Sequence, residues 1–183
     1  MKKSYHMILT LTLVGIISSG ALVGIYKYTQ PMIKANQRKA LEEAIFQVLP
    51  DAKSFKTVKK DKREIYQGID SSGKIVGYAF VGEGPGYQGI IKVMIGVDPE
   101  FEKTLGIEVL ESVETPGLGQ KITMSFFRDQ FHNLVIKPFV KLVKKKPVAP
   151  NEIQAITGAT ISSQAVVDIV NSTTSKVRAL LGK

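Results

Sequence analysis

The stretch Ile156-Thr-Gly-Ala-Thr-Ile-Ser-Ser-Gln164 joins a small-residue turn, a bare hydroxyl at Thr160 and the onset of an amphipathic pattern. That combination can hold a phosphate. The first turn of a helix offers backbone N–H groups without intrahelical partners and the positive end of the helix dipole, so an anion beside Thr160 is stabilised without any basic side chain. Gly158 and Ala159 keep bulk away, Thr157 opens the turn, and Ser162 and Ser163 are natural N-caps. Two upstream motifs could close over such a ligand. In Glu114-Thr-Pro-Gly-Leu-Gly119 the fixed φ of Pro116 and the permissive Gly117 and Gly119 let Glu114, Thr115 and Leu118 ride on a tight loop over a flat group. Gly86-Tyr-Gln-Gly89 leads into an apolar strand, and Tyr87 either stacks on that flat group or fills the core. Each motif also suits plain turn chemistry: a capped helix start in one case, a Pro-Gly strand-to-helix turn in another.

In this order, Gly86-Tyr-Gln-Gly89, Glu114-Thr-Pro-Gly-Leu-Gly119 and Thr157-Gly-Ala-Thr160 resemble the FMN-binding domain of the G subunit of the Rnf electron-transport complex. More distantly they resemble the C subunit of the sodium-pumping NADH:quinone oxidoreductase. The resemblance runs from the N-terminal hydrophobic segment to the end of the chain, and the length is that of the Rnf protein. It implies FMN carried covalently through a phosphoester on Thr160, with Thr157, Gly158, Ala159, Ser162, Tyr87 and the loop from Glu114 to Gly119 around it. It further implies an electron-transfer role in an ion-translocating ferredoxin:NAD oxidoreductase, with other membrane and redox subunits as partners and a flavin transferase for maturation. The family often has an acidic residue three positions before the first Ser or Thr of the last motif, and this chain has Gln154 there. Two other functions stay open: the same chemistry in the quinone-linked complex, and a membrane-anchored scaffold that binds no cofactor.

A chain of 183 residues has room for one membrane helix and one domain of ordinary size. The absence of cysteine excludes an iron–sulfur cluster, a disulfide framework and a thiol nucleophile. Of the two histidines, His6 and His132, the second reads as structural, because a lone histidine lacks the partners of a metal site. With no Ser/His/Asp set, paired carboxylates or P-loop in view, any redox chemistry belongs to a bound cofactor. The net charge of +9 would suit nucleic acid or anionic lipid. Its lysines are densest in 53–63 and 141–146 with no interleaved aromatic stacking pattern, which argues against nucleic acid and for membrane lipid or ordinary solvation.

Met7 to Tyr26 carries no charge over twenty residues, enough to span a bilayer. A cleaved signal peptide is the competing reading, with Ser19-Gly-Ala21 as its cleavage site, but the apolar run continues through Leu22, Val23 and Ile25 and favours a retained single-pass anchor. Gly20 and Gly24, with Gly15 and Ser19, either let another helix approach or reflect ordinary glycine usage in membrane helices. Lysines flank both ends, so charge does not orient the span, and the resemblance implies an inner-membrane protein whose domain lies outside the cytoplasm.

The elements that must position the motifs follow from periodicity. Residues 1–28 form the tail and span, 29–50 a linking helix stopped by Pro50, and 51–183 the domain. Strands are expected at 64–69, 74–81, 89–97 and 105–110 as an antiparallel meander, its ladder broken by glycines 82, 84, 86 and 89. A helix over 122–131, a strand over 139–144 and a final helix after Thr160 complete an α+β sandwich, an antiparallel sheet with flanking helices.

Overall fold

Along residues 90–97 the side chains of Ile91, Val93, Ile95 and Val97 belong to one buried cluster and Met94 to another. A strand sends successive side chains to opposite faces, so this strand is covered on both sides. The computed structural model describes residues 2–61 and 63–183. Met1 and Lys62, the latter within the basic run 53–63, lie outside the described residues.

The chain divides into two units, residues up to Ala40 and residues Leu41–Lys183. Helix α1 (Lys2–Val48) begins in the first, with Pro31 inside it. It is long and apolar enough to cross a membrane, with a mean hydropathy of 2.2 in its apolar window and none of that window buried.

In the second unit five strands form one antiparallel sheet in the order β1-β2-β3-β4-β5: β1 (Ser54–Lys60), β2 (Arg63–Ile69), β3 (Ile75–Pro85), β4 (Ile90–Val97) and β5 (Thr104–Glu111). One face packs on Ala44, Ile45, Val48 and Leu49, which bury against Tyr66, Ala79 and Met94. The other carries the larger core, in which Ile65, Phe80, Ile91 and Ile95 meet Val166, Ile169, Val170 and Val177 of α3 (Thr160–Leu181). Each fully buried side chain of this size contributes about 1.5–3 kcal/mol, so α3 is held chiefly by this apolar stripe. Gly182, at φ 71°, ends it.

Several expectations are corrected. The glycines of β3 do not break the ladder: Gly82 pairs with Val93, Gly84 with Ile91, and the strand runs on to Pro85. Their role is to admit α3. A Cβ on Gly82 would lie 2.6 Å from Thr173 Oγ1 and one on Gly84 would lie 2.8 Å from Ile169 Cγ1. The helix expected over 122–131 is broken into a 3₁₀ turn (Gly119–Thr123), α2 (Ser125–Arg128) and a second 3₁₀ turn (Asp129–Phe131). A continuous helix would set Ile122 and Phe127 about 140° apart. The extended Met124 between the segments lets both be fully buried. The strand over 139–144 shrinks to β6 (Lys141–Val143), which pairs in parallel with an unexpected β7 (Glu152–Gln154). Strand β1 was likewise hidden in a run that reads as a solvated lysine stretch.

Candidate functional site

Three connections meet at the start of α3. The hairpin turn between β3 and β4 closes through Gly86 N–H to Gly89 O at 2.6 Å and carries Tyr87 and Gln88. After β5, the loop descends through Glu114 and turns back at Gly117, whose φ is 75°. Leu118 and Gln120 both donate to Thr115 O, at 3.2 and 3.1 Å, and fix that turn. Before α3, Gly158 at φ 82° turns the chain and Ala159 N–H reaches Ile156 O at 2.9 Å. Thr160 is the first helical residue and is exposed.

The serines expected as caps do other work. The helix begins two residues before Ser162, its N-cap position is Ala159, and no side chain caps it. Ser163 is buried, accepts Ile156 N–H at 3.1 Å and donates to Ala159 O at 2.9 Å, which locks the turn onto the helix. Ser162 is also buried and donates a short hydrogen bond to Glu114 Oε2. The first-turn N–H groups of α3 are therefore left for a ligand, as an uncapped helix start leaves them.

Glu114 ties the three connections together. Its side chain is 4% exposed, Oε2 takes Ser162 Oγ and Oε1 takes Gln88 N–H at 2.9 Å. Burial opposes its ionisation, yet the hydrogen bonds from Ser162 and from the backbone of Gln88, Gly89 and Tyr87 outweigh that and hold the carboxyl below its ordinary range. Gly119 and Gly86 are pressed against it. A Cβ on Gly119 would fall 2.6 Å from both Glu114 Oε2 and Ser162 Oγ, and one on Gly86 would collide with Glu114 Oε1. Thr115 Oγ1 adds a bond to Gln88 Oε1 at 2.8 Å.

The result is a cleft of about 430 Å³ lined by Tyr87, Glu114, Thr115, Leu118, Gly119, Gly158, Ala159, Thr160, Ile161 and Ser162. Nine of the residues singled out from sequence thus come together. Thr157 does not: it borders a separate depression with Gln154 and Phe126. Gly117 is absent from the lining and serves the turn. Tyr87 is 67% exposed, so it does not fill the core. Ile161 was missed, because an isoleucine one step into a helix reads as part of its buried stripe, whereas it is 59% exposed at the cleft. Gln88 was missed as well, since a turn glutamine carries no signature of the backbone and side-chain bonds it makes.

Chemically the cleft offers a phosphate subsite of helix N–H groups beside the Thr160 hydroxyl, and apolar walls at Tyr87, Leu118 and Ile161 for a flat ring. No lysine or arginine lines it. FMN, a flat ring bearing a phosphate, fits this donor set. A larger depression of about 750 Å³ elsewhere mixes Asp61, Glu64 and Glu83 with Arg63 and Lys176 and has no helix start. Among the described residues no group of three His, Cys, Asp or Glu is placed to hold a metal. His132 Nδ1 lies 2.8 Å from Leu105 O.

Residues 86–175 match the FMN-binding domain family. Over 99% of its length the chain is 34% identical to the G subunit of the ion-translocating oxidoreductase complex of Methanosarcina acetivorans, covering 98% of that protein. It is 30% identical, over 94% of this chain and 90% of the relative, to the G subunit of the proton-translocating ferredoxin:NAD(+) oxidoreductase complex of Clostridium ljungdahlii. Its fold is that of Shewanella oneidensis NqrC, with a TM-score of 0.55 at 20% identity over 73% of each chain. The chain belongs to the family of G subunits of ion-translocating oxidoreductase complexes.

Proposed function

We propose that this protein is the flavin-carrying electron-transfer subunit of a membrane-bound, ion-translocating ferredoxin:NAD oxidoreductase, with FMN esterified to Thr160. The observation that carries the reading is the convergence of the three motifs on one cleft, at whose mouth Thr160 stands exposed on an uncapped helix start. The near full-length similarity to G subunits favours this complex over the quinone-linked one, and the match to the FMN-binding family argues against a cofactor-free scaffold.

Bound there, FMN supplies the redox chemistry. The chain's residues do the rest. The first turn of α3 holds the phosphate through N–H donors, Tyr87, Leu118 and Ile161 flank the ring, and Glu114 keeps the three connections in register. Attachment breaks the Thr160 Oγ–H bond and, on an activated flavin-phosphate donor, the bond from phosphorus to its leaving oxygen, and forms one Oγ–P bond, the Thr160 proton ending on the group that leaves. Glu114, the one acid of the lining, is committed to Ser162 and Gln88, so removal of that proton falls to a separate flavin transferase. Outside the cytoplasm a dissociated flavin is lost, and an ester keeps it in place however weak its other contacts. The N-terminal segment anchors the protein once in the cell membrane beside the other subunits, with the domain on the extracytoplasmic side.

Intact-mass measurement of the protein purified from its own membrane, followed by peptide mapping, tests this. The expected result is one FMN phosphoester on Thr160. An unmodified mass together with no visible flavin absorption in the native complex would sink the proposal.

A further inference from the structure

The two basic runs differ in what surrounds their lysines. In β1, Lys59 pairs with Glu64 at 2.8 Å, Lys60 Nζ donates to Leu180 O at 3.2 Å, and among the described residues of 53–63 no large apolar side chain is exposed. The second run is built differently. Residues 137–151 hold five lysines, at 137, 141, 144, 145 and 146, and no acid. Two large apolar side chains stand out beside them, Val148 at 95% and Phe139 at 49% exposure. The fold fixes both. Glu152 Oε2 accepts the N–H groups of Val148 and Ala149 at 2.9 and 3.1 Å, so the turn that carries Val148 is held by its main chain while the side chain packs on nothing. Asn151 Nδ2 donates to Phe139 O at 2.8 Å, and Asn171 of α3 takes Val140 N–H at 2.8 Å and donates to Val140 O at 2.9 Å. Because β6 and β7 run parallel with Lys141 opposite Glu152, the residues leading into them, Phe139 and Val148, lie at the same end of this small sheet. Lys141 Nζ stands 5.5 Å from the centre of the Phe139 ring. Among the described residues, the acids that reach this segment are Glu102, which pairs with Lys137 at 3.1 Å, and Glu152, which is turned onto its two N–H donors and faces Lys141. No ion pair among the described residues involves Lys144, Lys145 or Lys146.

We infer that residues 139–148 form a second contact with the membrane, in which Phe139 and Val148 enter the headgroup layer and Lys141, Lys144, Lys145 and Lys146 meet anionic headgroups. The inference rests on the membrane anchor in the functional reading above. Lysine brings its ammonium group to a lipid phosphate while its methylene stem and neighbouring apolar tips lie against the acyl boundary. Lysine is also depleted at protein interfaces, so four of them around two apolar tips fit a fluid anionic surface and not a protein face. Such a patch binds weakly by itself, because its strength scales with the apolar area buried and the attraction to anionic lipid. The N-terminal span changes that. A domain tethered to the bilayer meets its surface at high effective concentration, and weak attraction then suffices. Held at two points, the domain no longer swings about its anchor, and the cleft keeps one orientation to the membrane plane.

The protein has no tryptophan, so Val148→Trp installs a single one at the tip of this loop. The full-length variant is placed in lipid nanodiscs of phosphatidylcholine, alone or with one third phosphatidylglycerol, with plain acyl chains or with brominated ones that quench an indole near them. In anionic discs the emission should shift to the blue, and bromination should reduce it by at least about twofold. Both effects should be lost in neutral discs, at about 500 mM salt, and when Lys144, Lys145 and Lys146 are changed to Gln. The unaltered protein gives a second reading. A water-soluble amine-acylating reagent, followed by peptide mass spectrometry, should label Lys144, Lys145 and Lys146 at least about threefold more slowly in anionic than in neutral discs, while the exposed Lys53 and Lys56 react alike in both. Absence of quenching in anionic discs, equal labelling in the two lipids, or protection that arises only when other subunits are present overturns the inference alone. Failure of the wild-type chain to stay in the discs overturns the membrane anchor of the functional reading and this inference with it.

Discussion

Glu114 and Ser162, 48 residues apart in sequence, are joined side chain to side chain, and the same carboxylate reaches Gln88 N–H across 26 residues on its other oxygen. This one acid sets the relative positions of the β3–β4 turn, the loop after β5 and the start of α3. Replacing Glu114 by Ala leaves the buried Ser162 hydroxyl and the Gln88 N–H without their acceptor and should cost about 2–4 kcal/mol. Glu114→Gln, which keeps the volume, should cost less. Thermal unfolding of the full-length protein measures both, and a loss below about 0.5 kcal/mol for the Ala variant would show that the tie is idle.

The same carboxylate gives the fold an acid limb. Because the folded protein holds Glu114 below the ordinary 4.5, its contribution is complete above that value and is lost as pH falls through the depressed folded value. The melting temperature of Glu114→Gln should therefore fall less steeply than that of the wild type below pH about 4.5. Parallel curves for the two proteins would refute this.

Thr160→Ala should remove covalent flavin and leave the fold intact. An exposed hydroxyl at a helix start that caps nothing contributes about 1 kcal/mol or less. Mass spectrometry and circular dichroism decide together. A flavin phosphate found on Ser162 or Ser163 would contradict the geometry, because both hydroxyls are buried and hydrogen-bonded.

Gly158→Val should abolish flavin attachment and also lower stability by about 1–3 kcal/mol. The residue stands at φ 82°, where a β-branched side chain is strained whatever space surrounds it. Its Cβ would in addition meet Leu118 Cδ2 at 3.4 Å, on the cleft wall. Wild-type flavin content in this variant would remove the argument for close approach.

Gly82→Val should destabilise by about 1–3 kcal/mol through overpacking, since the added atoms meet Thr173 and Ile169 of α3. The companion change Thr173→Ala should recover part of the loss. No recovery in the double variant would mean that the strain lies in the sheet and not against the helix.

Cysteine placed at Ser71, in the exposed turn between β2 and β3, reports the side of the membrane on which the domain lies. In intact cells the Ser71→Cys protein should react with a membrane-impermeant thiol reagent. Protection in cells and reaction only after lysis would reverse the proposed orientation.

Most of this site could be read along the chain because its chemistry is local. A glycine at positive φ, a Pro-Gly turn and a threonine opening an amphipathic run announce themselves within a few residues, and the three motifs did converge. What sequence could not show depends on distant partners. Ser162 and Ser163 look like caps until Glu114 and Ile156 arrive from elsewhere to claim their hydroxyls. Gly82 and Gly84 look like ladder breakers until Ile169 and Thr173 of α3 are laid against them. The strands of the meander were legible from alternation, but β1 was not. Its exposed Lys56, Lys59 and Lys60 outnumber the half-buried Phe55 and Val58, and only pairing with β2 makes it a strand.

Those lysines have a further effect. An open five-stranded sheet has two outer strands, each with a row of main-chain groups able to recruit a strand from another molecule. At β5 the start of that row is already taken, because Thr104 N–H bonds Leu134 O and Ile136 N–H bonds Glu102 O. At β1 nothing comparable intervenes among the described residues, and the exposed Lys53, Lys56, Lys59 and Lys60 stand along it instead. Two copies brought together at this border would set like charges against each other, so the stretch that hides the strand from a sequence reader also opposes the growth of neighbouring copies into a continuous sheet.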